Sequence, residues 1–381
     1  MIVSKVCMET KRTKKVFVAM SGGVDSSVSA ALLKAATPNN FSKLFGRPTT
    51  KGFRGFDVTG VFIKAWHPEF ADCNWQNDRR DAMRVASHLG IPFKTFDLEK
   101  EYKKKVIDHM LYEYKNGRTP NPDVVCNQTI KFGEFYNKAR KEGADHVATG
   151  HYAQILRKKD EYMLTISRDT NKDQSYFLWA IDKNILPHII FPVGNMIKSD
   201  VRKKAEEFGL LVAKKKDSQG LCFVGKFNFK EFLKKYFPAR KGEVLNNKGE
   251  IIGVHDGAIL YTLGERHGFI IKKKTPHDAS YYVIGRNIKK NTITVSHTKK
   301  EGSAFTKHAF IKKVNWFGLS PLKNKKYNAR ARYKQDLQRC RVKKIGRKWK
   351  VIFDKKQASI TPGQSLVIYD KNICLGGGII Q

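Results

Sequence analysis

The sequence predicts an α/β fold: a doubly wound parallel-sheet domain, then a small central domain and a C-terminal antiparallel β-barrel. Short apolar stretches alternate with amphipathic helical stretches in the first half of the chain, as in parallel sheets whose strands are joined by helices. The middle of the chain has mainly helical periodicity. After Pro238 the pattern changes to short strands and glycine-containing turns, which is typical of a small antiparallel barrel.

Local patterns in the first half predict its elements in order. Strands are expected at residues 15–20, 58–63, 93–98 and 146–149, and helices at residues 26–35, 78–89 and 102–115. The segment at residues 37–57 is rich in Pro, Gly, Asn and basic residues, so we predict a long surface loop there.

The second half predicts two helices and then strands. The helices are expected at residues 199–208, with Ser199 as N-cap, and at residues 229–237. Strands are expected within residues 243–252, 281–285, 292–295 and 329–334, and in a basic hairpin at residues 340–353 that turns at Gly346. These elements predict three domains, at residues 1–185, 186–240 and 241–381.

The charge of the chain indicates a polyanionic partner. The sequence has 73 Lys+Arg against 35 Asp+Glu, a formal net charge of +38. More than half of the excess lies in residues 241–381, which hold 30 Lys+Arg and 9 Asp+Glu. Because self-repulsion of this size opposes compaction, nucleic acid is the expected partner. A basic bias of the whole proteome or a salt-rich habitat is the alternative explanation.

The composition also disfavours several classes of protein. No apolar run approaches the roughly 18–20 residues that a membrane span needs, and residues 1–15 lack the apolar core of a secretory signal. We therefore expect a cytoplasmic protein without a membrane partner. The cysteines form no CxxC pair, so the sequence indicates neither a zinc site nor an iron–sulfur cluster. They are Cys7, Cys73, Cys126, Cys222, Cys340 and Cys374.

The strongest motif is SGGVDS at residues 21–26, here called the glycine loop, between the first predicted strand and helix. Gly22 and Gly23 let the backbone turn tightly and approach an anion. The N–H groups of such a loop and of the helix N-terminus hold phosphate groups, and Asp25 is a candidate magnesium ligand. The Walker A pattern GxxxxGK(S/T) does not occur at this loop.

Two cysteines lie in distinctive segments. Asp123 precedes Cys126 by three residues in NPDVVC, so an acid/base group lies near a potential nucleophile. Pro120 and Pro122 favour an extended backbone, and we therefore expect Asp123 and Cys126 on a rigid loop and not within a helix. Cys222 lies in SQGLCF among polar and glycine residues. For either cysteine alone a buried or incidental thiol is the more common explanation, but the two segments together favour a function.

These motifs resemble those of known families. The glycine loop resembles the pyrophosphate loop of the N-type ATP pyrophosphatases, which cleave ATP between its α- and β-phosphates and adenylate a substrate oxygen. The whole chain resembles the bacterial tRNA-specific 2-thiouridylases, which install sulfur at C2 of the wobble uridine. The matching segments are AMSGGVDS from Ala19, NPDVVCN from Asn121, ATGHYA from Ala148, KDQSYFLW from Lys172, SQGLCF from Ser218, LGERHG from Leu263, ARYKQ from Ala331 and TPGQ from Thr361.

The resemblance implies a role for each matching position. Cys126 would be the nucleophile, Cys222 the persulfide carrier and Asp123 the acid/base residue. The residues expected to bind ATP are Ala19, Met20, Ser21, Gly22, Gly23, Val24, Asp25, Ser26, Ile63 and Gly150. Those expected at the target base are Asn121, Pro122 and Asp123, and those expected to contact tRNA are His151, Lys172, Asp173, Gln174, Arg332, Tyr333 and Gln364.

Alternative interpretations exist for some of these positions. The alternative for His151 is a core histidine and for Lys172 a solvated charge. Arg332 is equally explained as an exposed residue of a strand with alternating charge. The segment at residues 37–57 and the additional Cys7 and Cys73 depart from the family pattern.

The resemblance also implies a reaction. Uracil O2 would be adenylated by ATP with Mg²⁺, Cys222 would deliver persulfide sulfur to C2, and Cys126 would release it as hydrosulfide or through a disulfide. The persulfide would come from a donor protein, either a cysteine desulfurase or a sulfur-relay protein. The alternatives are another adenylating enzyme, such as one that makes 4-thiouridine or 2-thiocytidine or an amidating synthetase, and an RNA-binding protein without catalysis.

Overall fold

The computed structural model describes residues 13–45, 53–68, 70, 75–158, 161–216, 229–272, 279–302, 305–318 and 320–381. Cys7, Cys73 and Cys222 lie outside the described residues.

The elements are numbered along the chain. The helices are α1 (Val24–Lys34), α2 (Phe41–Phe45), α3 (Trp75–His88), α4 (Glu99–Tyr102), α5 (Asp108–Lys115), α6 (Pro122–Cys126), α7 (Tyr136–Lys141), α8 (Lys198–Glu207) and α9 (Phe229–Tyr236). π-Helical turns at Lys103–Ile107 and Asn127–Phe135 join α4 to α5 and α6 to α7. The strands of the first half are β1 (Lys14–Ala19), β2 (Phe56–Lys64), β3 (Phe93–Asp97), β4 (His146–Ala148), β5 (Gln154–Lys158), β6 (Glu161–Thr165) and β7 (Ile189–Ile190). The strands of the second half are β8 (Gly242–Leu245), β9 (Ile251–His255), β10 (Phe269–Ile271), β11 (Tyr282–Asn287), β12 (Thr292–Ser296), β13 (Thr306–Trp316), β14 (Lys326–Arg330), β15 (Gln338–Ile345), β16 (Lys348–Gln357), β17 (Ser365–Asp370) and β18 (Ile373–Ile380).

A parallel sheet with the strand order β3-β2-β1-β4-β7 forms the centre of the first half. Alternate residues of β1 enter different cores: Val16 and Val18 pack with α1 and α8, whereas Phe17 packs with α5 and α6. Apolar layers therefore cover both faces of the sheet, which confirms the predicted doubly wound fold. The strand order reverses between β1 and β4, and in such sheets ligands bind at the carboxyl ends of the strands at this position.

The structure of residues 37–57 differs from the predicted long surface loop. This segment contains α2, and within its described part Phe41 and Phe53 are buried, with ring centroids 4.8 Å apart. Phe45 and Phe56 pack against the same small cluster. Aromatic burial therefore outweighs the polar composition that predicted a surface loop.

The second half confirms the predicted barrel and adds a second sheet. Strands β13 to β18 form an antiparallel sheet that closes through the pairing of β13 with β18. The basic hairpin is confirmed as β15 and β16, and Gly346 at its turn has a φ of 57°. Strands β8 to β12 form a separate five-stranded sheet in which β8 and β12 are parallel.

The hairpin of β5 and β6 connects the two halves of the chain. Thr165 in β6 pairs with Ile373 in β18, so this hairpin extends the barrel sheet although it follows the parallel sheet in sequence. The sequence analysis did not predict these two strands. The domain boundaries at residues 185 and 240 stay a prediction.

The segment at residues 172–179, here called the junction segment, packs between the parallel sheet and the barrel. The Asp173 carboxylate is 2 % exposed and lies 3.3 Å from Nη2 of Arg330 in β14. Tyr176 Oη donates to the carbonyls of Ala331 and Ser365. Asn315 in β13 donates through Nδ2 to the carbonyls of Trp179 and Ile181. Hydrogen bonds of buried polar groups therefore fix the barrel against the first half of the chain.

No helix among the described residues is long and apolar enough to cross a membrane.

We predict that Arg330→Met lowers the free energy of unfolding by about 3 kcal/mol, because removing one partner of a buried ion pair leaves an uncompensated charge. Urea unfolding measured by circular dichroism checks this value. Lys325→Met is the matched control, since it breaks the exposed ion pair with Asp370 in the same part of the barrel. Equal unfolding midpoints for the two variants would contradict the role of the Asp173–Arg330 pair.

Candidate active site

The glycine loop forms a closed turn between β1 and α1. Gly22 has a φ of 73°, and a Cβ atom there would lie 2.2 Å from the carbonyl oxygen of Asp78 in α3, so a side chain does not fit. Ser26 Oγ accepts from the Ser21 N–H at 3.1 Å and donates to the Gly23 carbonyl at 3.1 Å. The loop is thereby held at the N-terminus of an eleven-residue helix, where backbone N–H groups favour anions.

Two other predicted ATP-binding residues end neighbouring strands. Gly150 follows β4, and a Cβ atom there would lie 2.7 Å from the backbone nitrogen of Ser26. Ile63 lies near the end of β2 and is 2 % exposed. Both positions are at the carboxyl edge of the parallel sheet, as is the glycine loop, so the structure brings the predicted ATP-binding residues together at the position where the strand order reverses.

The Asp25 carboxylate contacts two residues for which sequence analysis proposed no role. Lys198 Nζ donates to both of its oxygens, at 2.7 and 2.9 Å, and Tyr152 Oη donates to Oδ1 at 2.8 Å. Among the described residues no group of three or more His, Cys, Asp or Glu could hold a metal ion. One carboxylate suits Mg²⁺ that is bound mainly by substrate phosphates and water, so Asp25 fits the predicted role only together with such a substrate.

The N-terminus of α8 positions Lys198 and corrects a predicted cap. Ile197 is the N-cap residue, and its side chain makes no capping hydrogen bond, so Ser199 is not the N-cap. Asp169 Oδ2 accepts instead from the Lys198 N–H at 2.9 Å. A carboxylate from outside the helix thus satisfies one of the N–H groups of the first turn that have no partner within the helix.

Asp123 and Cys126 lie on a helix, which corrects the predicted loop. Pro122 is the first residue of α6, where its missing N–H costs nothing and its fixed φ suits the helix. Asn121 is the N-cap and its Oδ1 accepts from the Val124 N–H at 3.3 Å. The prolines therefore define the start of the helix, and the chain stays helical from α6 through the π-helical turn to the end of α7.

The helix places the predicted acid/base residue and nucleophile on one face. Residues three apart in a helix are neighbours, with Cβ atoms about 5–6 Å apart, so Asp123 and Cys126 lie side by side. Asp123 is half-buried and Cys126 is fully buried. The π-helical turn begins directly after Cys126, and such turns are frequent at functional sites.

His151 connects this helix to the glycine loop. Its Nε2 lies 3.4 Å from Lys131 Nζ in the π-helical turn, its Nδ1 lies 2.7 Å from Thr149 Oγ1, and it directly follows Gly150. His151 is 8 % exposed, and burial, together with the Lys131 charge, holds the pKa of its imidazole well below the usual range. The imidazole is therefore neutral near pH 7 and lies inside the protein. A direct contact with tRNA stays a prediction.

Three predicted tRNA contacts, Lys172, Asp173 and Gln174, lie in the junction segment. Asp173 accepts from the N–H groups of Ser167 and Ser175 besides its ion pair with Arg330. Gln174 exchanges hydrogen bonds with the backbone of Tyr152. Lys172 is half-buried. This arrangement fixes Tyr152, which in turn holds Asp25.

The remaining predicted tRNA contacts, Arg332, Tyr333 and Gln364, lie next to strands of the barrel. β14 ends at Arg330, so Arg332 and Tyr333 follow the strand and do not belong to it, contrary to the prediction. Arg332 Nη2 donates to the Leu263 carbonyl at 2.7 Å, and the Tyr333 ring centroid lies 4.4 Å from that of Phe177. Gln364 Nε2 donates to the carbonyls of Thr119 and Pro120 at 2.9 and 3.1 Å. All three side chains are half-buried.

Cys222 belongs to residues 217–228. The described residues just before and just after this stretch contact different parts of the site. Before this stretch, Lys215 pairs with Asp78 and Asp81 in α3, at 2.8 and 2.6 Å, and the Asp78 carbonyl packs over Gly22. After it, the Phe229 ring lies 5.7 Å from that of Tyr114 in α5. One flank therefore adjoins the glycine loop and the other adjoins the helix that leads to Asn121.

Sequence analysis missed Lys198, Tyr152 and Lys131. Tyr152 lies inside the matching segment ATGHYA, so its position was visible although its partner was not. Lys198 is 173 residues from Asp25 and lies in no motif, so nothing in the sequence indicated that pair.

Comparisons with known proteins cover nearly the whole chain. Family models match three parts: a tRNA methyl transferase HUP domain at residues 14–46 and 49–226, a tRNA methyl transferase PRC-barrel domain at residues 230–297, and an aminomethyltransferase beta-barrel domain at residues 306–380. The tRNA-specific 2-thiouridylase MnmA of Halalkalibacterium halodurans is 43 % identical over 98 % of this chain and 97 % of its own length. The chain belongs to the tRNA-specific 2-thiouridylase family.

Further relatives in this family are similar over comparable lengths. The tRNA-specific 2-thiouridylase MnmA of Streptococcus mutans is 42 % identical over 96 % of this chain and 95 % of its own, and that of Hahella chejuensis is 40 % identical over 98 % and 99 %. A solved structure, the U34-tRNA thiolase NcsA of Methanococcus maripaludis with its 4Fe–4S cluster, is 18 % identical, covers 61 % of this chain and 70 % of that chain, and has a TM-score of 0.34. This last similarity is too low to support a conclusion about this 2-thiouridylase family member.

We predict that Cys340 and Cys374 do not react with iodoacetamide at pH 8 in the folded protein. Burial raises the pKa of both thiols to about 12, so the reactive thiolate forms only at far higher pH and alkylation is roughly a thousandfold slower than for an exposed thiol. Peptide mass spectrometry after native and urea-denatured labelling measures this. Native labelling as fast as denatured labelling at either cysteine would contradict the prediction.

Proposed function

We propose that this chain is an ATP-dependent tRNA-uridine 2-sulfurtransferase of the cytoplasm that adenylates O2 of the wobble uridine and transfers persulfide sulfur to C2. The observation that carries the proposal is the meeting of the glycine loop with the helix of Asp123 and Cys126, through Gly150 and His151. Membership of the 2-thiouridylase family supports the choice of tRNA and of sulfur over other acceptors and groups.

ATP would bind at the carboxyl edge of the parallel sheet. The residues from Ala19 to Ser26 would surround its phosphates, and Ile63 and Gly150 would line the adenosine pocket. The positions of Gly22 and Gly150 support this role, because a Cβ atom at either would fill space against neighbouring backbone. Loop N–H groups then stabilise the charge of the departing pyrophosphate.

Lys198 and Asp25 would respond to ATP by exchanging partners. Their ion pair is half-shielded, with side-chain exposures of 14 % and 31 %. Mg²⁺ that accompanies the phosphates supplies positive charge that Asp25 would hold. Lys198 Nζ is then available to a phosphate oxygen, and Tyr152 keeps the Asp25 carboxylate in place.

The uridine would lie beside the N-terminal end of α6, next to Asn121, Pro122 and Asp123. Uracil O2 attacks the α-phosphorus, pyrophosphate leaves, and Asp123 accepts the proton that the base loses from N3. The base thereby gains AMP as a leaving group at C2, in place of an oxygen that does not leave readily.

Sulfur transfer would use both motif cysteines. The terminal sulfur of a Cys222 persulfide attacks C2 and AMP leaves. Cys126 thiolate then attacks the Cys222 sulfur, which releases the thiouridine and forms a Cys126–Cys222 disulfide. In the alternative route Cys126 thiolate first attacks the inner sulfur of the Cys222 persulfide, which releases hydrosulfide and forms the same disulfide. Hydrosulfide then attacks C2 and AMP leaves. In both cases a thiol reductant supplies two electrons before the next turnover, and a cysteine desulfurase or sulfur-relay protein restores the persulfide.

The basic surface would bind the tRNA. The predicted contacts at Lys172, Gln174, Arg332, Tyr333 and Gln364 are half-buried, so in this proposal they shape the cleft, and exposed lysines of the barrel supply most of the attraction to phosphates. His151 and Asp173 act from inside the protein.

We predict that Cys126→Ala and Cys222→Ala abolish the formation of thiolated nucleoside, because each of these cysteines forms a sulfur–sulfur bond during the transfer. Cys222→Ala keeps tRNA-dependent formation of AMP, since adenylation precedes sulfur transfer. Nucleoside mass spectrometry after incubation of tRNA with ATP and a persulfide donor measures the product, and radiolabelled ATP measures AMP.

The matched controls are Cys340→Ala and Cys374→Ala, which shorten buried side chains without adding a polar group. Both retain thiolation at a temperature where they are folded. Normal thiolation by Cys126→Ala or Cys222→Ala would exclude the sulfur-transfer steps. A wild-type protein that binds tRNA without consuming ATP would exclude the enzyme as a whole.

We predict that Asp25→Asn and Lys198→Met each lower tRNA-dependent AMP formation at least about a hundredfold, since charged groups at transferring phosphoryl oxygens commonly contribute this much. The control is Lys203→Met, an exposed lysine of the same helix. Near-normal AMP formation by either site variant, with ATP at saturation, would remove that residue from the mechanism.

A further inference from the structure

A cavity of about 900 Å³ lies between the first half of the chain and the barrel. Its wall includes Asn121, Val125 and Phe132 from the α6 helix and its continuation, Trp179 from the junction segment, and Lys312 and Val314 from β13. No residue of the glycine loop lines it, nor do Asp123 and Cys126. The cavity therefore opens beside the candidate active site, on another face of the same helix, and its volume suits a ligand of nucleotide size.

Two side-chain amides hold the walls together. Asn315 donates from β13 to the carbonyls of Trp179 and Ile181, each at 2.8 Å. Gln364 donates from the barrel to the carbonyls of Thr119 and Pro120. Each amide thus spans from the barrel to the first half, so the cavity is preformed by hydrogen bonds at both ends.

The cavity is positively charged. Lysines enter its wall from two sides, Lys104 and Lys105 from the first half and Lys312 and Lys313 from the barrel. Lys105 pairs with Glu134, so Lys104, Lys312 and Lys313 supply the charge for a ligand. Of its two carboxylates, Glu113 is neutralised by the Arg118 guanidinium, whereas Asp182 accepts from the neutral Asn184 N–H and keeps its charge, so the wall stays positive overall. The lining lysines therefore favour an anionic ligand.

Two ring side chains of the wall have buried nitrogen atoms without a hydrogen bond. Within the described part of the chain, Trp179 Nε1 and His109 Nδ1 are buried and make no hydrogen bond. Trp179 is 2 % exposed, and a buried N–H without an acceptor is costly. Because both nitrogen atoms are shielded from the cavity, the ligand is selected by the lysines and by the apolar residues of the wall.

We propose that this cavity is a second nucleotide site, in which the lysines contact the phosphate and the apolar wall residues Phe132 and Val314 pack against the base. Asn121 lines the cavity and is also a predicted contact of the target uridine. The occupant is therefore a nucleotide that neighbours the target in the same RNA, a conclusion that rests on the proposed function. A free mononucleotide has the same chemistry and is the other possible source.

The test measures binding and does not depend on catalysis. Filter binding gives the affinity for a tRNA transcript, and calorimetric titration gives the affinity for uridine 5′-monophosphate. Lys104→Ala/Lys312→Ala removes two cavity charges, and Val125→Phe fills the cavity without changing charge. The control is Lys141→Ala/Lys203→Ala, which removes the same charge from exposed positions on α7 and α8.

The proposal expects both cavity variants to weaken tRNA binding about tenfold more than the control does. Uridine 5′-monophosphate that binds wild type and not Val125→Phe would identify the free nucleotide as a ligand of the same site. Equal tRNA affinities of the cavity and control double variants, with Val125→Phe binding as wild type, would overturn the proposal. Cavity-specific loss of binding in a protein that yields no thiolated nucleoside would refute the proposed function and leave the second site standing.

Discussion

The buried ion pair between Asp173 and Arg330 is the constraint on which the site depends. It fixes the junction segment to β14, and the residues that follow Asp173 then contact three different parts of the molecule. Gln174 accepts from the backbone N–H of Tyr152, and Tyr176 donates to a carbonyl of the barrel. The Phe177 carbonyl accepts from Nδ2 of Asn127, the residue after Cys126. A single buried carboxylate thus sets the relative positions of the glycine loop, the α6 helix and the barrel. A buried charge that needs its partner is well suited to this, because alternative packings leave it unpaired.

The helix at Asp123 and Cys126 illustrates where sequence reasoning failed. Pro120 and Pro122 led to the prediction of an extended loop, but proline disfavours only the residue before it and positions in the helix interior. Pro122 occupies the first helical position, and Asn121 before it is extended, as both rules require. The pattern of Asn followed by Pro is a helix start, so the correct prediction was available from the same residues. The helix matters for the chemistry, because residues three apart in a helix are neighbours, so the acid/base residue lies beside the thiol. On a loop the same spacing in sequence would not define the distance between them.

The parallel sheet and the glycine loop were predictable because they depend on short-range patterns. Apolar stretches with flanking helices located β1 to β4 within a few residues, and SGGVDS located the loop. The pairs Asp25–Lys198 and Asp173–Arg330 join residues 173 and 157 positions apart, and no local pattern encodes them. The hairpin of β5 and β6 was missed for a related reason: its strands are short, and they pair with a barrel that begins about 140 residues later, so only the tertiary fold reveals their sheet.

Shape and charge are supplied by different residues in this protein. The motif residues expected to touch tRNA mostly contact other parts of the protein. Gln364 donates to a carbonyl of the loop before α6, and Arg332 donates to the Leu263 carbonyl. Asp173 fixes the junction segment through its ion pair with Arg330. The lysines and arginines that produce the net charge of +38 are instead mainly exposed, and many lie outside any motif. Phosphate contacts position an RNA without reading its sequence. Attraction to the phosphates therefore requires enough positive charge on the surface, and does not require an exact position for each side chain. The exact placement of side chains matters where one base must reach one thiol, and there the structure uses buried hydrogen bonds in place of surface charge.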